Sequence, residues 1–432
     1  MCGHRPLYAG IDLGTSGVRA VCIDAELNTV ASASVTFDHA LTDRRDPEHW
    51  WQCTRKLITQ LLQEVDPTRI MGIAVDGTSG SMLAVDSHGH PVGKAILYND
   101  ICSDSELLAL IANHAPASSA AHGATSGLAR AIMLTRQYPD ANILHEADWI
   151  ASQLSGITGI SDENNALKTG YDPVQRCWPD WIQHTGISVA RLPRVQPAGT
   201  PIGKISATVA RQLGLSANTI VISGTTDGCA SFLATGASQV GDGVTVLGST
   251  MTIKLLSDKP VTAPEFGIYS HRIGQRWLAG GASNTGGAVL RHYFTEVQLA
   301  ELSKRINVET GTELDYYPLL SAGERFPIND PQLQPRLTPR PSNDTDFLHG
   351  MLQGMANIEA LAYRRLNELG APELRSLRTV GGGRNNTAWQ AIRAKTVCNA
   401  TSPNASDQAA VGVASLARDG VVSSNPVATL NT

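Results

Sequence analysis

Short apolar runs that end in glycine, threonine and serine recur along the chain. They are GIDLGTSGVRAVCID (residues 10–24), AVDGTSGSMLAVD (74–86) and VTVLGSTMTIKLLSD (244–258). After the first of these turns, Val18, Ala20 and Cys22 alternate with the residues at 19, 21 and 23. A period of two is typical of a strand. Each stretch therefore predicts two strands joined by a tight turn, which is a β-hairpin.

Two other apolar runs lead into helical patterns. The stretch IVISGTTDGCASFLATGA (220–237) predicts a strand, a Gly/Thr/Asp turn and then a helix. The stretch LRTVGGGRNNTAWQAIRAKTV (377–397) predicts a strand, a turn of three glycines and a helix that begins near Asn386. Glycines before a helix leave room for a flat base or a sugar to approach the backbone.

The chain is long enough to form more than one core. Its 432 residues, of which 42% are apolar, predict two domains or three. Between Asp346 and Leu369 apolar residues recur every three or four positions, which predicts an amphipathic core helix that ends at Gly370.

Charge and cysteine usage narrow the class of protein. The net charge is −5 and no dense run of Lys and Arg occurs, so we expect neither nucleic acid nor a membrane as a partner. The seven cysteines are scattered without a CxxC pair, which favours reduced thiols over disulfides or a zinc site. The N-terminal stretch leads into a strand without the apolar segment of a signal peptide, and we expect a cytoplasmic protein.

The three Gly/Thr/Ser turns are candidate phosphate sites. No GxGxxG or GxxxxGK[ST] motif occurs, so the usual phosphate loop before a helix is not expected. Glycine lets the backbone approach a ligand, while successive amides and hydroxyls donate to an anion. Asp12 and Asp76 precede two of the turns, and each would repel phosphate unless Mg²⁺ lay between them. Ordinary hairpin turns use the same residue types, but three such turns together favour the phosphate interpretation.

In their order along the chain, these segments resemble the FGGY carbohydrate kinases, in the superfamily of actin, hexokinase and the heat-shock ATPases. The matching segments are a first phosphate hairpin at Asp12–Ser16, a catalytic segment at Gly224–Asp227, a second phosphate hairpin at Leu247–Thr250, and an adenosine loop at Gly381–Gly383 with Asn386. The resemblance covers nearly the whole chain. Within the family it is greatest to the short cyanobacterial and plant-type D-ribulose kinases. Arg130 stands where many members have a lysine.

This resemblance implies an α/β fold of two ribonuclease-H-like (actin-like ATPase) domains with a cleft between them. We place the N-terminal domain, the sugar and phosphate side, at residues 1–233, and a helix at about 408–420 returns to it. The C-terminal domain, the nucleotide side, is placed at residues 234–407. The implied activity is transfer of the γ-phosphoryl group of ATP, with Mg²⁺, to a ketopentose hydroxyl, and the expected reaction converts D-ribulose to D-ribulose 5-phosphate. The implied partners are the sugar and ATP, in a monomer or homodimer.

The resemblance also assigns site residues. Asp227 is the expected catalytic base, although an aspartate before a helix is also typical of an N-cap. Asp12 is expected to orient Mg²⁺ through water and to lie beside the sugar. The expected substrate contacts are Asp12, Ser16, Gly17, Asp76, Ser79 and Asp227. The expected nucleotide contacts are Thr15, Ser16, Gly248, Ser249, Thr250, Gly286, Gly287, Gly382, Gly383 and Asn386. For Asp76, stabilising a turn is as plausible as contacting a ligand.

Three alternatives remain at this level. The acceptor could be xylulose, glycerol or a pentitol rather than ribulose. The chain could instead be a superfamily member that senses sugar or nucleotide without transferring phosphate, but a sensor needs no base at Asp227. A solute-binding module is disfavoured by the nucleotide-type loops and by the missing signal peptide.

Overall fold

A computed structural model describes residues 5–38 and 43–424, which fall into two compact units. The first unit contains the described residues up to Ala234 and those from Gln408 onward, and the second unit is Thr235–Asp407. The strands of the first unit are β1 (Leu7–Gly14), β2 (Gly17–Ile23), β3 (Thr29–Thr36), β4 (Ile70–Gly77), β5 (Met82–Val85), β6 (Asn142–His145), β7 (Ile160–Asp162), β8 (Arg194–Gln196), β9 (Pro201–Lys204) and β10 (Ile220–Thr226). Those of the second are β11 (Asp242–Leu247), β12 (Met251–Ser257), β13 (Tyr269–Ile273), β14 (Arg276–Ser283) and β15 (Ser376–Val380).

The helices divide between the same two units. In the first unit they are α1 (Pro47–Leu61), α2 (Ser105–His114), α3 (Gly127–Gln137), α4 (Glu146–Ser155), α5 (Ala207–Leu213), α6 (Asp227–Ala234) and α11 (Ala409–Ser424). In the second they are α7 (Gly287–Tyr293), α8 (Glu296–Arg305), α9 (Asp344–Glu368) and α10 (Thr387–Thr396). No helix among the described residues is both long and apolar enough to cross a bilayer.

The main sheet of the first unit has the strand order β3-β2-β1-β4-β10-β9. β1, β4 and β10 run parallel, while β2, β3 and β9 are antiparallel to their neighbours. Leu7, Ala9 and Ile11 face a core that includes α1 and α4, whereas Tyr8 faces a second core with α6 and α11. This alternation buries both faces of the sheet. The adjacent parallel order of β1, β4 and β10 places the carboxyl ends of these three strands side by side.

The predicted hairpins are confirmed at two of three places. β1 pairs with β2 around Thr15 and Ser16, and β11 pairs with β12 around Gly248–Thr250. The second predicted hairpin is wrong, because β4 and β5 lie in different sheets and β5 pairs with β6. Both edges of β4 are occupied, by β1 and by β10, so the strand that follows it has no free edge to join.

The second unit is built on a sheet of order β13-β14-β12-β11-β15. The predicted strand–glycine–helix segment is confirmed as β15, a glycine turn and α10, whose N-cap is Asn386. The predicted amphipathic helix is also confirmed as α9, which buries Phe347, Met351 and Met355 against the sheet. Gly370 follows α9 with φ +100°, a left-handed conformation that ends a helix readily.

Candidate active site

Three aspartates meet where the parallel strands of the first unit end. Asp12 on β1 lies directly opposite Asp76 on β4, and Thr225 on β10 lies opposite Asp76 from the other side. Asp227 follows two residues later as the first residue of α6. Asp12 is 8% exposed and Asp76 is fully buried. The sheet register therefore gathers the predicted base, the predicted magnesium residue and a predicted sugar contact.

Burial and the charges of neighbouring acids raise the pKa of Asp12 and of Asp76. Burial raises the pKa of Asp12, the charge of Arg19 (3.4 Å from its carboxylate) opposes that rise, and the charge of Asp227 adds to it. The pKa of Asp76 lies well above its usual range, first because of burial and then because of the charges of Asp12 and Asp227. Neither carboxylate oxygen of Asp76 accepts a hydrogen bond from the described residues. Such uncompensated buried acids are typical of functional sites.

The helix that begins at Asp227 is capped by its neighbour. The Thr226 hydroxyl accepts a hydrogen bond from the backbone N–H of Cys229 (3.4 Å), which is the N-cap pattern. The Asp227 carboxylate accepts from the N–H of Gly228 (2.6 Å) in the first turn of α6. The positive end of the helix dipole therefore stabilises the ionised form of Asp227.

The turn between β1 and β2 carries the other predicted contacts of this unit. Thr15 and Ser16 are exposed, and the Ser16 hydroxyl lies 3.5 Å from Arg19. Gly17 is buried against β3, where a Cβ atom would lie 2.3 Å from the Val35 carbonyl oxygen. Thr15 and Ser16 thus offer hydroxyls to solvent, whereas the lack of a side chain at Gly17 serves the packing of β2 on β3.

Ser79 lies in the turn between β4 and β5. Its hydroxyl oxygen is buried and has no hydrogen-bond partner among the described residues. The adjacent Thr78 is bound by Glu146, which in turn pairs with Arg44 (3.0 Å). Sequence reasoning missed Arg44 and Glu146, since an acidic residue in the first turn of a helix predicts only a favourable dipole interaction.

The second unit contains a pocket of about 490 Å³ between β11, α7, α8 and α10. Six predicted nucleotide contacts line it, namely Gly248, Ser249, Gly287, Gly382, Gly383 and Asn386. Thr250 and Gly286 do not line it. A Cβ atom at Gly286 would lie 2.7 Å from the Ser249 carbonyl oxygen, so this glycine lets α7 approach the β11–β12 turn.

The remaining wall of the pocket comes from residues that the sequence analysis did not select. One face of α8 contributes Glu296, Leu299, Ala300, Ser303 and Lys304, whose spacing of three and four is that of a single helix face. That spacing was the signal available in the sequence, but it is equally typical of a core-facing surface. Asn386 donates to the Ser303 hydroxyl (2.8 Å) and accepts from the Trp389 N–H (3.0 Å), so it fixes the pocket wall with both ends of its amide.

A basic residue, Arg291, contacts the β11–β12 turn. Its guanidinium donates to the Ser249 hydroxyl (2.9 Å) and lines the same pocket. The first amides of α7 are already used, because the N–H of Gly287 donates to the Gly248 carbonyl (2.8 Å). An anion at this turn would therefore meet a side-chain cation rather than a free helix N-terminus.

The aspartate cluster offers a magnesium ion neighbouring carboxylates rather than a complete set of protein ligands. Among residues 5–38 and 43–424, no group of three or more His, Cys, Asp and Glu side chains could bind a metal directly. The buried oxygens of Asp76 nevertheless lack donors, and Asp12 lies beside them. Mg²⁺ usually keeps several waters and takes one or two carboxylates plus substrate phosphates, which is compatible with this arrangement.

Two domain models from a known family match nearly the whole chain. The N-terminal domain of the FGGY family of carbohydrate kinases matches residues 7–126 and 129–234, and the C-terminal domain of that family matches residues 239–418. Both matches follow the order in which the motifs occur along the chain. The family expected from the motifs is therefore confirmed.

Individual relatives are more distant. A xylulose kinase of Staphylococcus epidermidis is 22% identical over 90% of this chain and 83% of its own length. An autoinducer-2 kinase of Yersinia enterocolitica is 26% identical over 89% of this chain and 80% of its own. The crystal structure of a xylulose kinase from Brucella ovis has a TM-score of 0.84 at 25% identity, covering 97% of this chain and 91% of that one. The expected α/β fold of two ribonuclease-H-like domains is confirmed, while resemblance to D-ribulose kinases in particular stays a prediction.

Proposed function

The chain belongs to the FGGY family of carbohydrate kinases, and we propose that it phosphorylates a ketopentose with ATP, with D-ribulose as the preferred acceptor. The observation that carries this proposal is the cluster of Asp12, Asp76 and Asp227 at the ends of three parallel strands. A kinase needs an acceptor site with a base and a separate nucleotide site. The first unit offers the former, and the pocket of the second unit offers the latter.

Asp227 is the proposed general base. It accepts the proton of the sugar hydroxyl as that oxygen attacks the γ-phosphorus, the bond to the β,γ-bridging oxygen breaks, and ADP leaves. The ionised form that this step requires is favoured by the N-terminal turn of α6. Asp12, through water, is the residue that would orient Mg²⁺, and when bound Mg²⁺ neutralises charge on the transferring phosphoryl group.

The pocket of the second unit is the proposed ATP site. Leu247, Leu290, Leu299 and Trp389 supply apolar surface for an adenine ring, and Ser303 with Asn386 supplies polar edges. Gly248, Ser249 and Arg291 at the turn between β11 and β12 are the proposed phosphate contacts. Thr15, Ser16 and Thr250, which are exposed hydroxyl residues of the two turns, are also proposed to contact phosphate.

Ser79, Asp12 and Asp76 are the proposed sugar contacts, and two sugars are candidates for this site. The resemblance of the sequence motifs to those of D-ribulose kinases favours D-ribulose, whereas the Staphylococcus relative is a xylulose kinase. The two sugars differ only in the configuration of one carbon, so a site that hydrogen-bonds this hydroxyl would discriminate between them. D-Xylulose is therefore the second candidate.

A coupled assay of ADP release tests the function. The full chain is assayed with ATP and Mg²⁺ against D-ribulose, D-xylulose, glycerol, ribitol and D-ribose. We expect the highest kcat/KM with D-ribulose. A higher value with D-xylulose would overturn the preferred acceptor but not the kinase. Nucleotide binding without any sugar-dependent turnover would favour a sensing protein instead.

A further inference from the structure

The Ser79 turn is anchored on both sides while its central hydroxyl is left unused. Ser79 contributes a buried hydroxyl oxygen that makes no hydrogen bond in the described part of the chain. Leaving a buried hydroxyl unpaired carries a free-energy cost. The cost is explained if a hydroxyl of a bound ligand forms the missing hydrogen bond. The neighbours of Ser79 behave in the opposite way, because each is bound by a charged side chain from a distant helix.

Glu146 anchors the residue before Ser79. Its Oε1 atom accepts hydrogen bonds from the backbone N–H of Thr78 (2.6 Å) and from the Thr78 hydroxyl. Glu146 is fully buried at the start of α4, 68 positions away along the chain. The Thr78 hydroxyl also lies 2.6 Å from that of Ser81, which accepts from the N–H of Tyr98. The turn is therefore tied to α4 and to the loop that carries Tyr98.

Arg44 compensates the charge of Glu146 and reaches the first turn of the unit. Its Nη2 atom lies 3.0 Å from the Glu146 carboxylate and 3.3 Å from the Gly14 carbonyl oxygen. The guanidinium also stacks over the rings of Phe37 and Trp50, at 4.9 and 5.0 Å from their centroids. One buried ion pair thus links the turn that follows β1 with the turn that follows β4.

Arg130 anchors the residue after Ser79. It projects from α3, is 1% exposed, and donates to the carbonyl oxygens of Gly80 (3.2 Å), Asp100 (3.1 Å) and Tyr98. One planar guanidinium therefore donates hydrogen bonds to three carbonyl oxygens from two loops. A lysine has a single ammonium on a flexible stem and cannot reproduce this fork.

We propose that Glu146, neutralised by Arg44, and Arg130 are positioning residues that fix the Ser79 hydroxyl for one hydroxyl of the sugar. Buried ion pairs add little stability compared with well-packed apolar residues, so the fixed geometry of the turn is the benefit that this arrangement supplies. A hydroxyl held in place rejects an acceptor that lacks or misplaces its partner more strongly than a mobile one. This inference rests on the proposed sugar kinase function.

The test compares four variants of the full chain. Glu146→Leu removes the acceptor for Thr78, Glu146→Gln keeps an oxygen acceptor, and Arg130→Lys removes the fork. Arg136→Lys is the matched control, because Arg136 lies on the same helix but is half-exposed and pairs with Asp104 at the surface. The measurements are KM and kcat with the best sugar of the panel, KM for ATP, and hydrogen–deuterium exchange of the amides at residues 77–81.

We expect Glu146→Leu to lower kcat/KM for the sugar by about 10²-fold, as for a misplacement of about 1 Å. Arg130→Lys should raise the sugar KM by roughly tenfold and Glu146→Gln by less, since one lost hydrogen bond to a charged group is worth about that factor. KM for ATP should stay within about twofold, and amide exchange at Thr78 should accelerate only in the Glu146 variants. The control should match the wild type in every measurement.

Sugar KM values that stay at the wild-type level in folded Arg130→Lys and Glu146→Gln would overturn the inference, as would equal rises in the KM values for sugar and ATP. If Glu146→Leu does not fold, those two variants still decide the question. If the wild-type chain phosphorylates no sugar, the proposed function fails by itself. Exchange at Thr78 then still reports whether Glu146 fixes the turn, and unchanged exchange would reject that part independently.

Discussion

Buried charge is handled differently in the two units. In the second unit Glu359 is fully buried but is bound through both oxygens by Arg393, at 2.6 and 2.7 Å. In the first unit Asp76 is equally buried, yet neither of its oxygens has a donor among the described residues, and its acidic neighbours raise its pKa further. A buried carboxylate that is paired with a cation can belong to the scaffold, whereas a buried acid without donors is typical of a place where a ligand or ion binds.

The largest expected effect concerns the aspartate cluster of the first unit, where the reaction is proposed to occur. Asp227→Ala should lower kcat by about 10²–10⁴-fold, because it removes the base that accepts the sugar proton. Nucleotide affinity should be unchanged, since the pocket of the second unit does not include Asp227. Steady-state kinetics and calorimetric titration with ADP measure the two quantities. Asp258→Asn, an exposed carboxylate, is the control, and near-wild-type turnover in Asp227→Ala would reject the assignment.

The second prediction concerns the buried ion pair of Glu359 and Arg393 in the second unit. Arg393→Met should lower the free energy of unfolding by about 3–5 kcal/mol, because it leaves the buried Glu359 carboxylate with the Thr245 hydroxyl as a donor but without its cation. The double variant Arg393→Met/Glu359→Leu should recover most of that loss, as both charges are then gone. Urea unfolding measures both. If the single variant were as stable as the wild type, the pair would not be the scaffold interaction described here.

Two adjacent glycines separate packing from ligand approach within the second unit. A Cβ atom at Gly383 would lie 2.7 Å from Leu247 and from Trp389, so Gly383→Ala should cost about 1–3 kcal/mol of stability. A Cβ atom at Gly382 would meet nothing within 4 Å, so Gly382→Ala should leave the melting temperature unchanged. If adenosine packs against this loop, Gly382→Ala should raise KM for ATP. A stability loss equal to that of Gly383→Ala would contradict the packing argument.

A further expected effect is a pH dependence of stability that originates in the first unit. Burial and the charge of Asp148 raise the pKa of Asp162 to about 7, from 3.8. Between these values the unfolded chain binds fewer protons than the folded one, so the stability due to Asp162 falls as the pH rises from about 4 to about 7. Asp162→Asn removes this dependence, and an amide rotation at Asn165 would pair its free oxygen with the new amide group.

Melting temperatures of Asp162→Asn and wild type, measured at pH 5 and pH 8, check this prediction. The melting temperature of the variant, relative to that of the wild type, should be higher at pH 8 than at pH 5. The relative rise in melting temperature at the higher pH should be absent in a matched Glu359→Gln variant, because Arg393 already binds both oxygens of that carboxylate. An equal difference between variant and wild type at both pH values would place the titrating group elsewhere.

Local patterns in the sequence determined the elements around the site. The alternation after Gly17 and the glycines before Asn386 predicted β2 and the start of α10, because a period of two and a helix cap depend only on neighbouring residues. Asp12 and Asp76 could be selected because each follows an apolar run and precedes a Gly/Thr/Ser turn, whereas the role of Asp227 was implied by the family resemblance. The family followed from the order of these motifs.

Tertiary structure alone decided the partners of these elements. β5 does not pair with β4, because β1 and β10 occupy both edges of β4. Which strands pair depends on all the strands of a sheet and not on one turn. Glu146 became an anchor of the Ser79 turn, and α8 became a pocket wall, through contacts between residues far apart in the sequence. A helix face or a first-turn acid looks the same in sequence whether it meets a core, a ligand or solvent, because only packing supplies its environment.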